Sequence, residues 1–210
     1  MKYVDLTHLI EPNMPVFPGT EQPEFEYPVS IAKDGFLETK LHMYSHTGTH
    51  MDAPAHLIEG KPFLNEMDIT QYCGKAAVID ATNVDIWIDL DMLLKYEETI
   101  NKIDFILIKT GWDKLWGKAN YFEDFPCLSK EACEWLVSKN IKGIGLDTIS
   151  IDPVSSMDMV NHMIVLGSDM VIIENLKDLN LLGGEIVQFF TFPLNFVNSD
   201  GSPVRAVAAY

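Results

Sequence analysis

The chain has 210 residues, of which 47% are hydrophobic and 22% are charged. That length and balance predict one globular domain over residues 1–210 and exclude a disordered protein. The 15 basic and 31 acidic residues give a formal net charge of −16. Because so acidic a surface repels phosphate backbones, nucleic acid is excluded as an expected partner.

The cysteines and the first residues of the chain indicate the compartment. Cys73, Cys127 and Cys133 are odd in number and form no CxxC pair, which argues against a disulfide framework. Asp5 lies where a secretory signal would begin its apolar core, and no apolar run is long enough to cross a bilayer. We therefore expect a cytoplasmic protein that does not associate with membranes.

The first half of the chain is predicted to be mainly extended. Residues 11–28 contain five prolines and cannot form a helix, so they are predicted to be a long ordered loop. Leu90, Leu93 and Leu94 have helical spacing and predict a helix over residues 89–98. Compact or alternating apolar runs predict strands over residues 3–8, 37–45, 76–81 and 105–109.

Helices and strands alternate in the second half. Ser129 is a good N-cap for a predicted helix over residues 130–139, and a second helix is predicted over residues 157–166. Strands are predicted over residues 141–146, 170–173, 188–197 and 204–208. The whole pattern predicts a mixed α/β domain with a mixed sheet, and it does not fit a regular doubly wound sheet.

Residues 46–56 hold three of the six histidines of the chain, together with an aspartate. His46 and His50 are four residues apart, as on one face of a helix, but Gly48 between them and Pro54 after them oppose a helix. An extended segment fits better, because even-numbered residues of a strand point to the same side. Gly48 would leave room there for a metal ion or a bend.

The residue types in this segment predict a catalytic metal site. Imidazole nitrogens and a carboxylate oxygen from His46, His50 and Asp52 suit zinc, manganese or iron(II) and leave coordination positions open. Pro54 would turn the chain, so that His56 lies beside this donor face and acts as the proton carrier. The alternative, a set of ordinary hydrogen-bonded histidines, is disfavoured by their clustering.

Several residues further along the chain have open roles. His162 lies in a predicted helix and Glu174 at the end of a predicted strand, and from the residues alone a structural role is the simpler interpretation of each. Asp147 and Asp152 follow a buried-type strand, where a carboxylate can either orient a metal-bound histidine or form a turn. His8 and His42 are interpreted as structural.

The segment HTGTHMDAPAH at residues 46–56 resembles the HxGTHxDxPxH signature of the cyclase family of metal-dependent hydrolases. Kynurenine formamidase (arylformamidase) and isatin hydrolase are members of that family. The resemblance extends over nearly the whole chain. Its other parts are DLT at 5–7, MPVFPG at 14–19, KTGW at 109–112, GLDTISID at 145–152, His162 with ENL at 174–176, and DGSPVRA at 200–206.

The resemblance implies a swivelling β/β/α fold and a specific division of roles. His46, His50 and Asp52 would hold one divalent ion, and Asp52 would bridge to a second ion held by His162 and Glu174. His56 would be the catalytic acid and base. One or two ions per chain are implied, with zinc as the first choice and manganese as the alternative. The family also implies a homodimer or homotetramer.

The function implied is hydrolysis of an amide by a metal-activated water, in the manner of an arylformamidase of tryptophan catabolism that converts N-formylkynurenine to kynurenine and formate. Phe17 or Trp112 would contact the substrate ring. Two alternatives stay open: hydrolysis of another cyclic amide or a lactone, such as isatin, and binding of a metal or small molecule without catalysis. No organic cofactor is expected, because the chain has no P-loop, GxSxG elbow or strand-to-helix GxGxxG motif.

Overall fold

The computed structural model describes residues 1–183 and 186–210, and these contain short strands, short helices and single 3₁₀ turns. The strands are β1 Tyr3–Asp5, β2 Glu24–Val29, β3 Glu38–His42, β4 His50–Asp52, β5 Cys73–Asp80, β6 Trp87–Ile88, β7 Phe105–Lys109, β8 Cys127–Leu128, β9 Gly143–Leu146, β10 Val171–Glu174, β11 Val187–Phe190, β12 Gly201–Pro203 and β13 Val207–Ala209. The α-helices are α1 Ile31–Asp34, α2 Leu90–Leu94, α3 Glu97–Ile100, α4 Lys130–Val137 and α5 Val160–Gly167. The 3₁₀ helices span Pro54–His56, Leu64–Glu66, Ile69–Tyr72, Trp112–Leu115, Ala119–Phe122 and Leu179–Leu181.

Among the described residues, one mixed sheet has nine strands in the order β1-β13-β11-β5-β7-β9-β10-β4-β12. The central neighbours β5, β7, β9 and β10 run parallel, whereas the strands at both edges pair antiparallel. Two small sheets, β2-β3 and β6-β8, complete the strand pairing. The predicted mixed α/β fold with a mixed sheet is confirmed.

The central strands are buried on both faces because their apolar side chains alternate between two cores. Ile106 and Ile108 of β7 join the core beneath the helices, which includes Leu136 of α4 and Val165 of α5. Their neighbours on β7 face the opposite core, which is built with the terminal strands and includes Phe105, Leu107, Phe189 and Ala208. Burial on both faces explains why residues 105–109 form a strand with the predicted bounds.

Several predicted elements differ in length from those observed. The helix predicted over residues 89–98 is two short helices, because Tyr96 departs from helical backbone angles with ψ of 7°. The helix predicted from residue 157 begins at Val160, since Met159 has a left-handed φ of 44°. The strand predicted over 188–197 ends at Phe190, and Pro193 makes only an isolated bridge. Of the strand predicted over residues 204–208, only Val207 and Ala208 lie in a strand, β13, and β12 ends before it at Pro203.

Two further features bear on the predicted compartment. Cys73, Cys127 and Cys133 are all free thiols. Within residues 1–183 and 186–210, no helix combines the length and hydrophobicity that crossing a bilayer requires.

Candidate metal centre and active site

The register of β4 brings distant parts of the chain to one place. On one side β4 pairs with β10, which sets Glu174 opposite His50. On the other side it pairs with β12, which sets Gly201 opposite Asp52. Side chains more than a hundred residues apart therefore share one sheet edge.

The segment 46–56 is not one extended face, which corrects the prediction. Gly48 has a φ of 67°, a left-handed conformation that glycine adopts readily, so His46 approaches Asp52 from a bend. Only His50–Asp52 is a strand. The prediction for Pro54 holds, because a 3₁₀ helix begins there and returns His56 to within 4.1 Å of His46, measured between ring centroids.

Two donor groups meet at Asp52. In the first, which we call the local group, His46 Nδ1 lies 2.7 Å and His50 Nε2 lies 3.3 Å from Asp52 Oδ1. In the second, the remote group, His162 Nε2 lies 3.7 Å from Asp52 Oδ2 and 3.4 Å from Glu174 Oε1. The donor atoms within each group lie within 4.8 Å of one another. The geometry thus brings together all five residues that the resemblance singled out as ligands.

The charges of these groups fit a divalent cation. Asp52 is only 1% exposed and Glu174 only 5%, and no lysine or arginine is among the described residues that line the surrounding cavity. Burial disfavours a charged imidazole, yet the carboxylates of Asp52 and Asp200 raise the pKa of His46 to about 10. In the remote group burial is likewise outweighed, and Asp152 and Glu174 raise the pKa of His162 to about 10. The buried carboxylates of Asp52 and Glu174 thus favour a positive charge beside them. The nitrogen and oxygen donors of the two groups suit a divalent metal ion.

Each donor histidine has its second ring nitrogen on a fixed acceptor, as metal-binding histidines usually do. His162 Nδ1 lies 2.8 Å from Asp152 Oδ2, His46 Nε2 lies 3.1 Å from Asp200 Oδ2, and His50 Nδ1 lies 2.9 Å from the Gly48 carbonyl oxygen. These contacts orient three rings with one nitrogen directed at the donor groups.

The two aspartates whose roles were open have different contacts. Asp152 contacts His162 and also accepts the backbone N–H of Asn161, so it both orients a donor ring and anchors the start of α5. Asp147 accepts instead from Thr110 and from the Gly111 N–H, which closes the turn after β7. Burial raises the pKa of Asp147 to about 6 despite these hydrogen bonds.

A cavity of about 330 Å³ opens onto both donor groups and His56. Its remaining wall is mainly apolar and includes Pro15, Val16, Phe17, Leu57, Ile149 and Met159. Phe17 lines it as expected. Trp112 does not line it, and its indole N–H donates to the Tyr121 carbonyl oxygen. Burial lowers the pKa of His56, whose Nδ1 lies 3.7 Å from Asp200 Oδ2.

Comparison with known proteins decides the family. The Cyclase family model matches residues 4–153. This chain belongs to the cyclase family. It is 32% identical over 211 residues to kynurenine formamidase from Bacillus thuringiensis (strain Al Hakam), covering 98% of this chain and 96% of that protein.

Solved structures agree with the family. Isatin hydrolase A from Labrenzia aggregata, bound to benzyl benzoate, superposes with a TM-score of 0.90 at 26% identity, covering 99% of this chain and 93% of that one. A potential metal-dependent hydrolase with cyclase activity superposes with a TM-score of 0.79 at 28% identity, covering 99% of this chain and 96% of that one. The predicted family and fold are therefore both confirmed.

In this cyclase-family chain, sequence reasoning missed three residues of the site. Asp200 contacts His46, and Asn175 follows Glu174 and is buried. Gly201 leaves space for His46, since a Cβ there would lie 2.4 Å from a ring carbon. The DGSPVRA and ENL segments marked these regions, but nothing local in them indicates which side chain would face the donor groups.

Proposed function

We propose that this protein is a metal-dependent amide hydrolase of the arylformamidase type, which converts N-formylkynurenine to kynurenine and formate. The observation that carries the proposal is a pair of donor groups sharing Asp52, with His56 beside them in one apolar cavity. The similarity to kynurenine formamidase, which extends over almost the whole chain, supports the same reaction.

For the metal, we propose that the local group holds one divalent ion and the remote group a second, with Asp52 between them. Zinc is the first choice and manganese the alternative, because both accept imidazole and carboxylate donors. A bound divalent ion supplies Lewis acidity, which polarises a carbonyl oxygen and lowers the pKa of a bound water.

The residues of the chain supply proton transfer and substrate binding. Because burial lowers its pKa, His56 is neutral near pH 7 and can accept a proton from water. Its Nδ1 faces Asp200, which leaves Nε2 to take that proton and pass it to the leaving nitrogen. Overall, hydroxyl adds to the formyl carbon, hydrogen adds to the amine, and the carbon–nitrogen bond breaks. Val16, Phe17 and Leu57 line the cavity, where they would pack against the aryl ring and exclude further water.

One observation favours a second candidate, the opening of a neutral cyclic amide such as isatin. N-formylkynurenine carries an α-carboxylate, and the described lining residues of the cavity offer it no lysine or arginine. Isatin has no such charge, and isatin hydrolase A has a closely similar fold. A protein that only binds metal is the less supported alternative, because His56 lies outside both the local and the remote group.

We also propose that the protein is a cytoplasmic homodimer or homotetramer. Three free thiols suit a reducing compartment. The β2-β3 ribbon and the residues just before β3 expose four large apolar side chains, Tyr27, Phe36, Leu37 and Leu41. An isolated two-stranded ribbon is marginally stable, and neighbouring exposed apolar side chains often mark a contact surface, which a second copy would cover. The mass in solution, measured by light scattering, tests this assembly.

Formate release from N-formylkynurenine and ring opening of isatin, measured on protein of known metal content, test the function. We expect turnover of one of these substrates, loss with a chelator, and recovery with zinc or manganese. Protein that binds metal but turns over neither substrate would overturn the hydrolase proposal. His56→Ala should keep its metal and lose about 10²–10⁴-fold in turnover. Full activity in that variant would exclude His56 as the acid and base.

A further inference from the structure

The Gly48 carbonyl oxygen accepts two hydrogen bonds from side chains. His50 Nδ1 lies 2.9 Å from it, and Asn175 Nδ2 also lies 2.9 Å from it. A carbonyl oxygen can only accept, so both nitrogens must carry hydrogen. A neutral His50 therefore has its proton on Nδ1 and its lone pair on Nε2. That Nε2 lies 3.3 Å from Asp52 Oδ1 and 3.5 Å from Glu174 Oε2, on the side of the donor groups.

A hydrogen bond to the oxygen of the Asn175 side chain also favours one direction of its amide. The Tyr121 hydroxyl donates to Asn175 Oδ1 at 2.7 Å, and neither residue is exposed by more than 2%. If the amide were turned over, its oxygen would face the Gly48 oxygen with no hydrogen between them, and the Tyr121 hydroxyl would lose its acceptor. Trp112 in turn holds Tyr121, since its indole N–H donates to the Tyr121 carbonyl oxygen at 2.9 Å.

The backbone of Asn175 joins the two segments that carry donors. Its φ of 57° is left-handed, a conformation that asparagine tolerates better than most residues. Its carbonyl oxygen accepts the Thr49 hydroxyl at 2.6 Å, and its N–H donates to the Thr148 carbonyl at 2.9 Å. Asn175 thus follows Glu174 directly and holds both Gly48 and Thr49, the two residues before His50.

We infer that Asn175 is a positioning residue that fixes the Nδ1–H tautomer and the ring orientation of His50, and that Tyr121 sets the direction of the Asn175 amide. Acceptors behind metal-binding histidines typically change metal affinity about 10–100-fold when they are lost. For His50 the acceptor is the Gly48 backbone carbonyl, which a substitution cannot remove. Asn175 holds that carbonyl in place, and its side chain can be removed by mutation. The inference rests on the proposed role of His50 as a metal donor.

The test uses three variants and two readouts that do not depend on turnover. Asn175→Gly removes the amide and keeps the left-handed backbone, and Tyr121→Phe removes only the hydroxyl. Tyr72→Phe is the matched control, because Tyr72 is also buried and its hydroxyl also donates to a backbone carbonyl, that of Leu64, outside the cavity lining. The tautomer of His50 is read from ¹⁵N chemical shifts of the metal-free, histidine-labelled protein. Zinc affinity is read by competition with a chelating dye.

We expect the parent and Tyr72→Phe to show His50 with Nδ1–H and equal zinc affinity. Asn175→Gly should show mixed tautomers and bind zinc about 10–100-fold more weakly, and Tyr121→Phe should lose about tenfold. An Nε2–H tautomer in the parent overturns the inference, as does an equal loss in the Tyr72→Phe control or unchanged zinc binding in both other variants. If these expectations hold in a protein that hydrolyses no amide, the inference stands and the proposed function fails.

Discussion

The local and remote donor groups share Asp52 but are built differently. The local group comes from a bend and a three-residue strand, and the side chain of His46 is 22% exposed. Its supporting carboxylate, Asp200, is 42% exposed. In the remote group, by contrast, the side chain of His162 is 3% exposed and that of Glu174 is 6% exposed. They lie on a helix and a central strand, and the buried Asp152 lies behind His162. The group that the motif reveals is thus the less enclosed one, and the residues of the more enclosed group are far apart in the sequence.

The largest expected effect comes from the residue that the two groups share. Asp52→Asn should remove metal from both groups and reduce turnover by more than about 10³-fold, because the Lewis acidity contributes several kcal/mol. Metal analysis after dialysis, together with the hydrolysis rate, checks this. Asp147→Asn is the control, since that buried carboxylate contacts Thr110 and Gly111 and neither donor group. Retention of a full ion in Asp52→Asn would mean that the groups bind independently.

Removing the supporting carboxylates tests the comparison directly. Asp152→Asn should weaken metal binding towards the upper end of about 10–100-fold, and Asp200→Asn towards the lower end, because solvent can replace an exposed acceptor more easily. Asp152→Asn should also lower the free energy of unfolding by about 1 kcal/mol, since both carboxylate oxygens accept backbone N–H groups at the start of α5 and an amide keeps only one acceptor. Dye competition and urea unfolding measure the two effects. Equal losses of metal affinity in the two variants would contradict the idea that the more enclosed group depends more on its supporting carboxylate.

The smallest effect concerns pH and the support behind the local group. The His8 ring stacks on Trp116 at 3.9 Å, and its backbone N–H donates to the Thr49 hydroxyl. Burial and the charge of Lys177 lower the pKa of His8 to about 4. In the unfolded chain that pKa is about 6.5, so between these values the unfolded state binds a proton that the folded state does not.

The free energy of unfolding should therefore be insensitive to His8 above about pH 6.5 and should fall as the pH drops towards 4, by an amount on the order of 1 kcal/mol. His8→Phe keeps the stacking and should remove this part of the pH dependence. Urea unfolding of both proteins at pH 7.5 and pH 5 isolates it, because the donor histidines contribute equally to both. Parallel pH profiles would show that His8 is not kept neutral.

The contrast between the groups also shows what could be predicted from sequence. Local sequence patterns were sufficient to predict β7, the Ser129 cap of α4 and the clustering of His46, His50 and Asp52. The resemblance added His162 and Glu174, which the residues alone had left as structural.

The other contacts of the site depend on strand register. Glu174 reaches His50 only through the β10–β4 pairing, and Asp200 reaches His46 only because β12 lies on the other side of β4. Residues this far apart leave no periodic signal in one sequence. The sequence left open whether Gly48 makes a bend, since a bend and a strand pass through glycine equally well.

The pairing of β12 with β4 also has a consequence for biosynthesis. A ribosome makes all five donor residues before it makes Asp200, and at about 5–20 residues per second the interval from Glu174 lasts roughly one to five seconds. During that time β4 lacks the neighbour that holds Asp52 on one side, and β1 lacks its partner β13. A nascent or prematurely terminated chain thus carries every donor without the assembled site. We therefore expect the proposed metal ions to bind only after β12 has paired with β4, and a chain ending before residue 200 would leave that edge of β4 exposed.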